Sequence, residues 1–177
     1  MNLFEINILY WIREHLTCPF LDWLMPPLSA LSAHGEIWIL LAVVLVCIPK
    51  TRRAGLTMGL TLLLGYLIGN MGLKNIFARM RPYDVVDVPL LVERLHDFAF
   101  PSGHTLASFG AATALTLFYR RWGAAALVLA AAIGFSRLYL FVHYPTDVAA
   151  GALLGVALAF LARWMLDERY SKKNSAT

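Results

Sequence analysis

Charge is scarce in this chain: 15% of its 177 residues are Asp, Glu, Lys or Arg, while 59% are hydrophobic. A soluble domain carries about 25% charged and roughly 45–50% apolar residues, so both departures point towards lipid. Cysteine is nearly missing. Cys18 and Cys47 stand apart in apolar surroundings, which argues against a disulfide framework or a cysteine-based metal site. Met1 to Leu16 lacks the basic start and apolar run of a cleavable signal, because Glu5, Arg13 and Glu14 interrupt it. Clustered carboxylates and tight histidine groups are absent as well, so neither a metal nor another cofactor is expected. No repeat, low-complexity tract or linker divides the chain. The net charge of +4 is modest, and a bilayer rather than nucleic acid is the expected partner.

What is present is a set of apolar segments: Glu36–Pro49, Gly55–Leu73, Thr105–Phe118, Gly123–Phe135 and Thr146–Leu166. A bilayer core of about 30 Å needs roughly 20 helical residues. Several segments reach that length only if polar motifs at one end continue the helix into the interface. The expected architecture is an all-α, polytopic membrane bundle of five transmembrane helices, or six if Phe20–Ala33 also crosses. Residues 1–35 read as amphipathic interfacial helices, 36–166 as the transmembrane catalytic domain and 167–177 as a basic cytoplasmic tail. In the first of these, Leu3, Ile6, Ile8, Leu9, Ile12 and Leu16 form the apolar stripe, with Glu5, Arg13 and Glu14 elsewhere on the surface. His15 and His34 read as interfacial. Gly55-x-x-x-Gly59, Gly65-x-x-x-Gly69 and Gly151-x-x-x-Gly155 read as close helix packing.

The connections differ in charge. Pro49–Arg53, Tyr119–Trp122, Arg163 and the tail put nine basic and two acidic residues on one side, net +7; the other side has six basic and nine acidic residues, net −3. Basic short loops face the cytoplasm, which makes the second side extracytoplasmic. Its arginines then need a separate explanation.

Three polar clusters fall on that second side. Lys74 and Arg81 are seven residues apart, almost two helical turns, so one helix face is expected to carry both before Pro82 ends the helix. Ser102 suits an N-cap and Gly103 a close backbone approach, just before His104 and the third span. His143 and Asp147 are one turn apart around Pro145, a spacing at which a carboxylate can hold one imidazole nitrogen and free the other. Taken singly, each has a plain reading: snorkelling cations, a simple N-cap, a helix-capping Asp. Taken together, Lys74, Arg81 and Arg137 would repel one another without an anion between them, and phosphate complements them. Phosphoryl transfer needs a nucleophile, an acid and an electrostatic clamp, and the set supplies all three. Asp84, Asp87, Glu93, His96 and Asp97 line the loop before the second cluster and read as a solvated face, with selection of the substrate headgroup as the alternative.

The ordered motifs Lys-x6-Arg-Pro (74–82), Pro-Ser-Gly-His (101–104) and Ser-Arg-x5-His-x3-Asp (136–147) resemble the signature of the type 2 phosphatidic acid phosphatase (PAP2) superfamily. The resemblance implies that His143 is a nucleophile forming a phosphohistidine and that Asp147 orients it. His104 then protonates the leaving group and activates water, while Lys74, Arg81, Ser102, Gly103 and Arg137 hold the phosphate without a metal. The small size resembles bacterial undecaprenyl-pyrophosphate phosphatases. That implies a lipid phosphate or pyrophosphate substrate and a multi-pass protein of a bacterial-type plasma membrane, its site on the extracytoplasmic side. Phosphatidylglycerophosphate or phosphatidate hydrolysis, and lipid phosphotransfer, use the same pocket. A non-catalytic anion-binding or transport protein is the reading from another class.

Overall fold

The computed structural model describes residues 3–33 and 35–174, with side chains described as far as Glu168; His34 and the side chains of the basic tail beyond Glu168 lie outside the described residues. Among these residues the chain is helical throughout, without strands. Helices α1 (Leu3–Leu16) and α2 (Pro19–Ala30) precede α3 (Glu36–Cys47) and α4 (Arg52–Gly65). The last continues through a π-helical segment, Tyr66–Leu73, into the single turn α5 (Lys74–Phe77). After the short α6 (Pro82–Val85) come α7 (Gly103–Thr116), α8 (Arg120–Tyr139) and α9 (Pro145–Asn174).

Three stretches are long and apolar enough to cross a bilayer, Arg52–Val85, Arg120–Tyr139 and Pro145–Glu168, with the shorter Glu36–Cys47 equally apolar. Their outward faces carry Ile39, Leu40, Leu63, Val128 and Leu153, all exposed, which is the surface that lipid would cover.

Packing in the bundle depends on missing side chains. A Cβ on Gly151 would lie 2.6 Å from the Ser102 carbonyl, and one on Gly155 would lie 2.8 Å from the Gly110 nitrogen. Backbone contact of this kind between α7 and α9 is what small residues permit in lipid. It also brings the first turns of the two helices together, where Ser102 N donates to Asp147 O at 3.1 Å. Gly55 does the same for α3 and α4, its Cβ position lying 2.7 Å from Ala42 O.

The two ends of the bundle differ as the charge pattern implies. Tyr119 Oη donates to Lys50 O at 3.0 Å, joining the two basic connections, and Arg163 lies 4.1 Å over the Phe118 ring. The opposite end holds a second core, in which Ile6, Leu9, Ile12 and Met25 pack with Tyr83, Tyr139, Phe141 and Val142. Burying each large apolar side chain contributes about 1.5–3 kcal/mol, enough to dock α1 firmly. Glu5 lies on this docked face, in helical register with Leu9 and Ile12. It is 3% exposed, not on the surface as its charge suggested.

Candidate active site

The helix expected to carry both Lys74 and Arg81 stops sooner than the sequence suggests. It ends at Phe77, and Ala78 turns left-handed at φ +42°. Pro82 disfavours helical backbone at the residue before it, and Arg81 is extended, with φ −77° and ψ 157°. The two cations therefore do not share a helix face. They meet because the chain doubles back into the same cavity.

Arg81 is 2% exposed and fully engaged. Its Nη1 donates to Val142 O at 2.7 Å and lies 3.2 Å from His143 Nε2; Nε and Nη2 reach Asp97 O at 2.8 Å and its carboxylate at 2.6 Å. The Asp97 carboxylate also accepts from Lys74 Nζ. Asp97 thus stays half exposed on the outer loop while its carboxylate is clamped between two site cations. Burial alone would raise its pKa, but Lys74 and Arg81 hold it below the ordinary 3.8.

His143 sits in the turn between α8 and α9, 1% exposed, and its Nδ1 is 3.5 Å from Asp147 Oδ2. That oxygen accepts the Tyr144 N–H at 2.8 Å, and Nδ1 has no hydrogen-bond partner in the protein. Burial first, then the charges of Arg81, Arg137 and Lys74, push His143 well below its ordinary 6.5. The shift favours the neutral ring, whose Nε2 is turned to Arg81. Phe141, two residues earlier, has φ +60°, a conformation that costs a residue with a side chain roughly 1–2 kcal/mol. Burial and a 5.4 Å ring contact with Tyr10 of α1 oppose that cost.

Arg137 is 3% exposed near the end of α8. Its Nη1 donates to Ser29 Oγ of α2, whereas Nε and Nη2 are buried without a protein partner. Orphaned guanidinium donors suit an anion. Gly103 opens α7 with its missing Cβ 2.8 Å from Asn70 Oδ1, so the close approach expected of it is made to the π-helical segment. Ser102 stands at the N-cap position without capping through its side chain. Its Oγ accepts from Thr105 Oγ1 at 2.9 Å.

A cavity of about 1050 Å³ joins these groups. Lys74, Arg81, Asp97, Gly103, His104, His143 and Asn70 line one part, and Ile39, Val43, Val46, Leu56, Leu63 and Tyr66 continue it between α3 and α4. Ser102, Arg137 and Asp147 are not among its lining residues, and Ser102 and Asp147 are wholly buried. Sequence reasoning missed Asn70, Ser29 and the burial of Glu5, and did not foresee the ion pairs of Asp97 with Lys74 and Arg81. Only Glu5 carried a signal, its helical register with the buried Leu9 and Ile12.

Residues 54–171 match the model of the PAP2 superfamily. The undecaprenyl-diphosphatase of Sulfolobus acidocaldarius is 32% identical over 136 residues, covering 75% of this chain and 66% of that protein. The undecaprenyl-diphosphatase BcrC of Bacillus subtilis is 28% identical over 161 residues, covering 91% and 82%. Among solved structures, the PAP2-type phosphatidylglycerolphosphate phosphatase of Bacillus subtilis superimposes with a TM-score of 0.75 at 26% identity, covering 95% of this chain and 88% of that one.

Proposed function

The chain belongs to the PAP2 superfamily, and from that premise we propose that it hydrolyses a lipid-linked pyrophosphate, best matched by undecaprenyl pyrophosphate, through a phosphohistidine on His143. One observation carries this reading. The cavity that holds Lys74, Arg81, His104 and His143 runs on between apolar helices, so an anionic headgroup and a long hydrocarbon tail fit it together.

Nε2 of neutral His143 attacks the terminal phosphorus, and the P–O bond to the lipid side breaks as His104 gives a proton to the departing oxygen. His104 then takes a proton from water, whose oxygen attacks the same phosphorus and breaks the P–N bond. The products are the lipid monophosphate and inorganic phosphate. Lys74, Arg81, Arg137 and the Gly103 amide offset charge on the phosphoryl oxygens, and Asp147 faces the imidazole as it becomes cationic. Ser102, whose side chain is turned away from the cavity, acts through the α7 start rather than through its hydroxyl.

In this reading α3, the α4 to α5 helix, α7, α8 and α9 make five crossings of a bacterial-type plasma membrane. The 1–35 segment lies at the outer interface, the basic end and the 167–177 tail face the cytoplasm, and the site opens on the extracytoplasmic side. Purified protein assayed for phosphate release from undecaprenyl pyrophosphate, phosphatidylglycerophosphate and phosphatidate, with and without EDTA, tests the proposal. Preference for a glycerophospholipid, or faster transfer to a second lipid than to water, replaces the substrate named here. Loss of activity with EDTA, restored by a divalent ion, ends the metal-free mechanism. An active His143→Ala variant, or phosphate binding without turnover, returns the anion-binding reading.

A further inference from the structure

The carboxylate behind His143 is one link in a line of charges that runs through the part-exposed Arg79 and ends on a second buried carboxylate of α1. Asp147 Oδ1 accepts from Arg79 Nη1 at 2.5 Å, and Arg79 Nη2 donates to Glu5 Oε2 at 2.6 Å. The other Glu5 oxygen accepts the Thr146 N–H at 3.0 Å and the Thr146 hydroxyl at 2.6 Å. Arg79 Nη1 closes the ring onto Thr146 Oγ1 at 2.7 Å, and the guanidinium lies 3.9 Å over Tyr144. Glu5 therefore grips both the residue before Asp147 and the cation that holds Asp147.

The charges make this more than an anchor. A guanidinium paired with Asp147 alone would form a neutral unit, with little left for the imidazole cation that develops during attack. Two carboxylates on one guanidinium leave one negative charge, and the nearer of them faces His143 Nδ1 at 3.5 Å. Hydrogen bonds to both Arg79 arms also fix the direction from which Asp147 is pulled.

We propose that Glu5 is a positioning residue for the reaction, sharing Arg79 with Asp147 so that Asp147 keeps its orientation and its negative charge towards His143. The inference rests on His143 being the nucleophile and Asp147 its partner. It explains why an outer arginine that holds no phosphate stands in the first motif.

The test uses the full chain in detergent with a polyprenyl pyrophosphate, measuring kcat, KM, inhibition by inorganic phosphate and thermal stability. Glu5→Gln, close in shape but uncharged, should lower kcat about ten- to a hundred-fold while leaving KM and phosphate inhibition nearly unchanged. Glu5→Asp should restore part of kcat. Arg79→Lys, a cation without the fork that spans two carboxylates, should show the same kcat-specific loss and serves if Glu5→Gln does not fold. Unchanged kcat in Glu5→Gln, or in Arg79→Lys where it stands in, overturns the proposal. So does a loss that tracks thermal stability and phosphate affinity and that Glu5→Asp does not restore, since Glu5 would then only dock α1. An active His143→Ala protein would instead remove the underlying mechanism, whatever Glu5 does.

Discussion

Asp97 holds Arg81 twice, through its backbone carbonyl at 2.8 Å from Nε and its carboxylate at 2.6 Å from Nη2. The same carboxylate takes Lys74. A phosphate bound as proposed must therefore compete with a side chain of the protein for two of its cations, one of which also faces the His143 imidazole.

Asp97→Asn removes the competing charge while keeping the carbonyl that holds Nε. The Asp97 side chain is half exposed, so each pair is screened and worth no more than about 1 kcal/mol. Inhibition by inorganic phosphate should tighten about two- to five-fold, with KM falling in step. Weaker inhibition in the variant would show that Asp97 supports the anion site instead of competing for it.

The depressed pKa of His143 sets the direction of a pH effect. Acidifying from 7 through 6.5 protonates this histidine in the unfolded chain but not in the folded one. Stability is thus full above 6.5 and declines as pH falls from there towards the folded value. The acid limb that His143 imposes on kcat/KM should likewise lie well below 6.5. Both expectations are checked by thermal unfolding and initial rates between pH 7 and 4.5, with His143→Ala making the stability slope shallower by the share of this one residue.

Ser29→Ala leaves a third donor of buried Arg137 without a protein partner. An unsatisfied buried donor costs about 1–3 kcal/mol, more for a charged group. The melting temperature should fall by several degrees, and saturating inorganic phosphate should recover part of the loss by supplying the missing acceptor. Equal loss with and without phosphate would separate Arg137 from the anion site.

Gly151→Ala places a methyl group against the Ser102 carbonyl, a backbone atom with nowhere to move. Overpacking of this kind costs roughly 1–3 kcal/mol. Because the contact lies between the first turns of α7 and α9, activity should fall further than stability does. Gly59→Ala, with open space around its Cβ position, is the matched control for stability and should remain close to wild type in that measurement.

The portion of the site legible in the sequence is the portion built by local geometry. His143 and Asp147 meet because four residues and a proline start a helix between them, and Gly103 precedes His104 at another helix start. Charge sorting along the chain likewise anticipated which connections share an end, as the Tyr119 to Lys50 contact bears out. What stayed hidden was set by packing between distant segments. Glu5, Ser29 and Asp97 reach the site across 141, 108 and 16 residues of chain; the register of Glu5 with Leu9 marks its burial but not its partners, and nothing within a few positions of the other two marks theirs. Arg81 was placed on a helix because a spacing of seven fits two turns. The backbone restriction that a following proline imposes decided otherwise.

The wider winding of Tyr66–Leu73 makes the bearing of Lys74 sensitive to length. A stretch already wound this wide has no room to absorb a further residue, although one more apolar residue would leave the span as apolar as before. Each added helical residue turns the chain about 100°, so the ammonium would swing away from Arg81 and towards lipid. Spacing in this span is thus as much a part of the proposed phosphate grip as the lysine itself, and a one-residue insertion should lower activity without touching a polar group.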